Sequence, residues 1–182
     1  MCRSYLRGMK QFIPVLTTVL LLGSCGDGKK EAAEQLADST AVATGIILDL
    51  AKHDTPLTVD LGDPNLLGGD SAHVVWNEEF GQLRVNGGDH FAITITEEPG
   101  DIPRRKADLE RDMLRKHTVL EDAPDRIVYR SQFPDEDLVF IHFYQVIPVG
   151  ERTFVVEDAA EGRFNEADIK RMASAVRPKP AV

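Results

Sequence analysis

The segment LVFIHFYQVI, residues 138–147, constrains the fold of this chain more than any other stretch of its sequence. Side chains alternate between the two faces of a β-strand, so a strand here carries apolar groups on both faces. Such a strand has to be covered on both sides, and we therefore predict that it lies at the centre of a sheet. The turn Gly150-Glu151-Arg152 then leads into a second strand, TFVVEDA, which completes a hairpin.

Other short strands are predicted along the chain, because apolar and polar residues alternate between clusters of turn residues. The turn Asn86-Gly87-Gly88-Asp89 joins two of them into a hairpin, since these residue types tolerate the positive φ values that such turns need. These predicted strands are TPLTVDL, AHVVWNEE, QLRV, FAITITEE and DRIVYRSQF. Their short connections indicate antiparallel pairing.

Two helices are predicted. The first covers residues 102–120, where apolar residues recur at helical spacing. The second begins after Asn165, whose side chain suits an N-cap position and pairs with Asp168 in a capping-box pattern, and it ends before Pro178. The two apolar stripes are Ile102, Leu109, Met113 and Leu120 in the first helix, and Ile169, Met172, Ala173 and Val176 in the second.

Helices that interrupt runs of short-linked strands indicate an α+β fold, here an antiparallel β-sheet flanked by helices. We predict one domain over residues 46–178, which is long enough to bury a sizeable core, and a C-terminal tail over residues 179–182.

The N-terminal segment has the layout of an export signal. From Met9 it reads MKQFIPVLTTVLLLGSC, which is a charged start, an apolar run and then small residues before a cysteine. A transmembrane helix needs about 20 apolar residues, so this run is too short to be one. Met9 gives a more compact signal than Met1 and is the alternative start of translation.

The residues Leu22, Gly23, Ser24 and Cys25 resemble a bacterial lipobox. This resemblance implies a signal peptide over residues 1–24, cleavage between Ser24 and Cys25, and acyl chains such as palmitate on Cys25. Two or more acyl chains anchor a protein stably. The alternative is that Cys25 is a buried thiol in a helix of the soluble domain.

Residues 25–45 are small, polar and charged, so we predict a flexible, lipidated tether; the alternative is an N-terminal helix that packs on the domain. The first 24 residues contain Arg3, Arg7 and Lys10 and no acidic residue, so their removal makes the net charge of −9 three units more negative. An acidic body lacks the basic footprint of a nucleic-acid-binding protein.

A cluster of basic residues between 104 and 115 is the candidate docking strip for an acidic partner. The alternative is a solvated face with internal ion pairs, because acidic residues are interleaved with the basic ones. The strip consists of Arg104, Arg105, Lys106, Arg111 and Arg115.

Trp76 and His142 are the candidate residues of a ligand pocket. For Trp76 we weigh an exposed sugar or partner anchor against core packing, which its neighbours Val74 and Val75 favour. For His142, which alternates with Phe140 and Tyr144, a hydrogen-bonded histidine in the core is the alternative.

No motif of catalysis or of cofactor or metal binding is recognisable. The five histidines lack the spacing of zinc ligands, and no serine lies in a GxSxG turn. The acidic pairs are read as solvated turns, except Glu157-Asp158, which follows a strand and precedes a helix. We therefore predict no enzymatic activity, no cofactor and no metal.

The segments LRVNGGDHFAITI, IPRRKADLERD, IHFYQVIPVGERTFVVED and FNEADIKRM resemble a family of small acidic lipoproteins of Gram-negative bacteria. Their order of strands and helices is similar to the PsbP-like α/β/α sandwich. The resemblance implies that fold and an accessory or adaptor role, and it carries no site residues.

These observations give two main hypotheses. The first is a lipid-anchored periplasmic module that binds a protein partner in the cell envelope. The second is an envelope lipoprotein that binds a small ligand in a pocket between sheet and helix; a hydrolase ranks below both. Gly26, where an Asp would favour retention in the inner membrane, indicates the outer membrane, facing the periplasm.

Overall fold

The computed structural model describes residues 45–67 and 72–180, which form an α+β fold of two antiparallel sheets and two α-helices. The predicted signal peptide, its cleavage site, Cys25 and the tether up to residue 44 lie outside the described residues. The strands are β1 (Ile47–Asp49), β2 (Leu57–Asp60), β3 (His73–Asn77), β4 (Gln82–Asn86), β5 (Ala92–Glu97), β6 (Lys116–Asp122), β7 (Arg126–Gln132), β8 (Val139–Val149), β9 (Arg152–Asp158) and β10 (Val176–Pro178). The helices are α1 (Ile102–Arg111) and α2 (Glu166–Ala175), and residues Ala51–His53 and Pro64–Leu67 form 3-10 turns.

Seven strands form the larger sheet in the order β3-β4-β5-β9-β8-β7-β6. The prediction that residues 138–147 form a central strand is confirmed, because β8 pairs with β7 on one side and with β9 on the other. The predicted hairpins around Gly88 and Gly150 are also confirmed, and both glycines have the positive φ that their turns require, 72° and 63°.

Three short strands form the smaller sheet in the order β1-β2-β10. The sequence reading predicted only β2 of these three, because the others have three residues each and show no alternating pattern. Directly after α2 the chain becomes extended, and Val176 lies opposite Val59 in β2. The prediction that Val176 belongs to the stripe of the second helix is therefore wrong, although this side chain is buried. Lys179 follows this strand, and its backbone N–H donates to the carbonyl of Pro56 at 3.0 Å.

The first helix ends nine residues earlier than predicted. After Arg111 the backbone of Asp112 is extended (ψ 110°), and its carboxylate accepts hydrogen bonds from the N–H groups of Leu114 and Arg115 at 2.8 and 3.1 Å. A side chain that satisfies its own neighbouring backbone in this way competes with the helix. The prediction that Met113 belongs to a buried helical stripe is therefore wrong, since 94% of its surface is exposed.

The second helix begins as predicted. The side chain of Asn165 accepts a hydrogen bond from the N–H of Asp168 at 2.9 Å, and the Asp168 carboxylate accepts one from the N–H of Asn165 at 3.4 Å. The capping box is thus complete, and it satisfies N–H groups that have no partner inside the helix.

The two faces of the larger sheet are covered by different elements. One face packs against α2 and the smaller sheet, and the main core lies between them. The other face packs a smaller apolar cluster beneath α1, formed by Ile102, Ile127, Tyr129, Tyr144 and Val155, with Leu109 and Val146 beside it. This arrangement explains why β8 is apolar on both faces: Phe143 belongs to the first cluster and Tyr144 to the second.

Candidate functional site

A groove of about 660 Å³ lies on the sheet face that α1 covers. Its floor follows from the strand register, which places Arg84, Thr94 and Glu157 opposite one another in a row across β4, β5 and β9. The lining residues are Asn77, Phe80, Gln82, Arg84, Thr94, Arg105, Asp108, Leu109, Asp112, Arg115, His117, Tyr129, Ser131, His142, Glu157, Asp158, Ala160 and Glu161. This volume suits a drug-sized ligand, and the lining is mainly polar.

His142 lies in the floor of this groove and is held by Asp158. Its Nδ1 atom is 2.8 Å from Oδ2 of Asp158, while Oδ1 of the same carboxylate accepts the N–H of Phe143 at 2.9 Å. Asp158 is buried, and the ring of His142 also stacks on that of Phe140. Because a carboxylate only accepts hydrogen bonds, Nδ1 carries a proton, and Asp158 fixes the orientation of a ring that lines the groove.

Arg105 reaches from α1 into the groove and connects the helix to the sheet. Its Nη2 donates to the hydroxyl of Tyr129 at 2.9 Å and to Oε1 of Glu157 at 2.8 Å. The guanidinium also lies over the rings of Tyr129 and Tyr144, with 5.7 and 5.2 Å to their centroids. These contacts preorganise a planar donor beside a carboxylate in the wall of the groove.

The electrostatics of this pair follow from its partial burial. Burial raises the pKa of Glu157, although the positive charge of Arg105 acts in the opposite direction. Burial alone would lower the pKa of Arg105, but the attraction of Tyr129 and Glu157 outweighs it and raises that pKa. Carboxyl groups with raised pKa values cluster at functional sites, which makes this groove the candidate site.

Asp112, His117 and Ser131 form a hydrogen-bonded chain at the end of the groove. His117 Nε2 is 2.9 Å from Oδ2 of Asp112, and its Nδ1 is 2.8 Å from Oγ of Ser131. The hydrogen bond from His117, together with that from the N–H of Leu114, holds the pKa of Asp112 well below its usual range. These are the residue types of a serine-hydrolase triad, but Ser131 is only 1% exposed, and a nucleophile has to reach its substrate. The chain instead fixes the segment after α1 to β7.

A smaller cavity of about 260 Å³ contains the other candidate residue, Trp76. Trp76 is 50% exposed on the edge strand β3, so the interpretation of this residue as a core side chain is wrong. It lies opposite Leu83 of the main core, whereas His142 lies opposite Tyr129 of the cluster beneath α1. Trp76 and His142 are therefore on opposite faces of the sheet and line separate cavities.

The candidate docking strip is largely occupied by its own ion pairs. Lys106 pairs with Asp122 at 2.6 Å, and Arg111 and Arg115 pair with the acidic residues three positions before them at 3.2 and 3.0 Å. Arg105 turns into the groove, whereas Arg104 is exposed on the outer side of α1. The structure therefore places Arg105 and Arg115 in the lining of the groove, and Arg104, Lys106 and Arg111 outside that lining.

No protein family, curated protein or solved structure matches this chain. The chemistry of the groove is therefore inferred from its own residues. Within residues 45–67 and 72–180, no group of three His, Cys, Asp or Glu side chains has the arrangement of a metal site. In the same part of the chain, no helix is both long and apolar enough to span a bilayer.

Sequence reasoning found some of the groove residues and missed others. It singled out His142, Arg105 and the pair Glu157-Asp158, but it assigned them to different features. It did not bring Asp112, His117 and Ser131 together, because the predicted long helix hid strand β6 and its pairing with β7. The available signal was Asp112 itself, since Asp favours turns and helix ends over helix interiors.

Proposed function

We propose that this chain is a lipid-anchored lipoprotein of the bacterial envelope whose domain binds a small polar ligand in the groove beneath α1, without catalysing a reaction. The observation that carries the proposal is the groove itself, with His142 fixed by Asp158 in its floor and Arg105 fixed by Glu157 in its wall. Preorganised polar groups in a cleft of this size are the usual form of a ligand site.

The anchor and the location in this proposal rest on the sequence. Acylation of Cys25 and a tether over residues 25–45 would hold the domain at the periplasmic side of the outer membrane. The finer fold assignment, a PsbP-like α/β/α sandwich, is part of the same proposal. It is supported by the position of α1 on one face of the larger sheet and of α2 on the other.

A thermal-shift screen of the full chain in detergent against a library of small polar molecules tests the binding proposal. We expect some members to raise the melting temperature, because a ligand that binds only the folded state stabilises it. His142→Asn should abolish these shifts, and the matched control Trp76→Ala, in the cavity on the opposite face, should keep them. Shifts that disappear with Trp76→Ala and persist with His142→Asn would refute the proposal.

A protein partner is the second candidate function, and the exposure of two apolar residues after α1 favours it. Met113 and Leu114 are 94% and 74% exposed, and they follow the exposed Arg111. Exposed apolar side chains beside arginine are typical of partner surfaces. A photo-crosslinking residue at position 113 in intact cells should capture a specific protein, whereas one at the exposed position 135 should not. The same capture from both positions would speak against this candidate.

A further inference from the structure

We propose that the ligand of the groove is a neutral, polyhydroxylated molecule such as a short oligosaccharide. This inference rests on the proposed function, because it assigns a chemical class to the ligand of the same groove. It follows from which charges of the lining are already paired, and from which hydrogen-bonding groups remain beside them.

The balance of charges in the lining disfavours an anion. Five carboxylates and three guanidinium groups line the groove. The carboxylates are those of Asp108, Asp112, Glu157, Asp158 and Glu161, and the guanidinium groups are those of Arg84, Arg105 and Arg115. An anionic ligand would therefore meet more carboxylates than guanidinium groups in the lining, which opposes its binding.

The pairing of those same carboxylates disfavours a cation. Glu157 and Glu161 each accept a hydrogen bond from an arginine, and Asp108 accepts one from Arg111 at 3.2 Å. Asp158 accepts hydrogen bonds from His142 and from a backbone N–H. The pKa of Glu161 is lowered by a backbone hydrogen bond, with a further contribution from Arg84. A cation would have to displace these partners and leave them without a counter-charge, which costs free energy.

The remaining chemistry suits hydroxyl groups. Three arginine–carboxylate pairs line the groove, namely Arg84 with Glu161, Arg105 with Glu157 and Arg115 with Asp112. Each pair places a donor edge beside an acceptor edge, and a hydroxyl group both donates and accepts. Thr94 and Gln82 add further groups of both kinds to the floor. A ligand with neighbouring hydroxyls can bind between these pairs without breaking them.

Phe80 adds an apolar surface at the rim of the groove. It lies in the turn between β3 and β4, and 61% of its surface is exposed. The C–H face of a sugar ring is apolar, while its edge carries hydroxyls. An exposed aromatic ring next to planar polar side chains therefore matches both parts of a saccharide.

Calorimetric titration of the full chain in detergent with three sugar trimers tests the inference. The probes are the neutral N-acetylglucosamine trimer, the cationic glucosamine trimer with the same backbone, and the anionic galacturonate trimer. We expect the neutral trimer to bind at least about tenfold more tightly than either charged one. Its affinity should change by less than about twofold between 50 and 500 mM salt, because screening acts on charged ligands.

Matched variants separate the inference from the proposed function. Phe80→Ala should weaken binding of the neutral trimer by about threefold to tenfold, whereas Phe133→Ala, which alters an exposed ring elsewhere, should leave it unchanged. Tighter binding of a charged trimer, lost with His142→Asn, would overturn the neutral class and leave the binding site in place. Failure of all three trimers would also overturn the inference, while the library screen decides the proposed function separately.

Discussion

His142 Nδ1 lies 2.8 Å from Oδ2 of the buried Asp158, and because a carboxylate only accepts hydrogen bonds, this contact places a proton on Nδ1. Asp158→Asn tests it. The Asn oxygen can still accept the N–H of Phe143, but its NH₂ group then meets Nδ1, so the proton of His142 should move to Nε2. Nitrogen NMR shifts of the His142 ring report the tautomer. The control Asp168→Asn alters a carboxylate beside another histidine, His90, and should leave the tautomer of His142 unchanged. An unchanged tautomer in Asp158→Asn would contradict the assignment.

Asp112 should stabilise the fold above the ordinary range of its pKa. Hydrogen bonds from His117 and the Leu114 N–H lower its pKa from 3.8, so the folded state favours the ionised form. This stabilisation is fully present at neutral pH and is lost as the pH falls below about 4 through the folded-state pKa. Asp112→Asn should therefore melt at a lower temperature than wild type at pH 7, and the difference should shrink below pH 4. The control Asp108→Asn alters an exposed pair and should show a much smaller difference.

Glu157 should change the stability of the fold with pH in the direction opposite to Asp112. Burial raises its pKa above 4.5, so the protonated form is more favourable in the folded state than in the unfolded chain. The free energy of unfolding of wild type should therefore fall, relative to Glu157→Gln, as the pH rises from 4.5 through the raised pKa. Urea denaturation of both proteins between pH 4 and 8 measures this difference. A difference that is constant over this range, or that changes in the other direction, would contradict the assigned burial.

The capping box of α2 should contribute measurably to stability. Asn165→Ala removes the acceptor for the Asp168 N–H, which lies 2.9 Å away, and should lower the free energy of unfolding by about 1 kcal/mol. Lys170→Ala removes only an exposed ion pair with Glu166, so we expect a much smaller loss than from Asn165→Ala. Equal effects of the two substitutions in urea denaturation would show that the cap is not formed.

The sequence predicts those parts of the fold whose patterns are local. The two-sided apolar run of β8, the turn at Gly88 and the cap at Asn165 each reflect contacts between near neighbours or strand alternation. The sequence predicts helix instead of strand β6 because Met113 and Leu120 continue the helical spacing of the apolar residues Ile102 and Leu109. The side chain of Asp112 and the partner strand β7 decide the structure there, and neither is visible in the periodicity.

The candidate site could be predicted only in fragments. His142 and Glu157 were recognisable as unusual residues in strands, but the sheet register brings them together across β8 and β9. Trp76 and His142 could not be separated from the sequence alone, since the face to which each points depends on pairing with β4 and β7. Residues that are distant in sequence therefore form the groove.

Hydrogen–deuterium exchange mass spectrometry of the full chain with each of the three sugar trimers tests the location of the site most directly. Binding slows exchange where a ligand covers or rigidifies the backbone. At least one trimer should protect the peptides that contain Thr94, Tyr129, His142 and Glu157. Protection confined to the peptides that contain His53 and Trp76 would contradict the location of the site, and no protection around His142 with any trimer would contradict the assigned class of ligand.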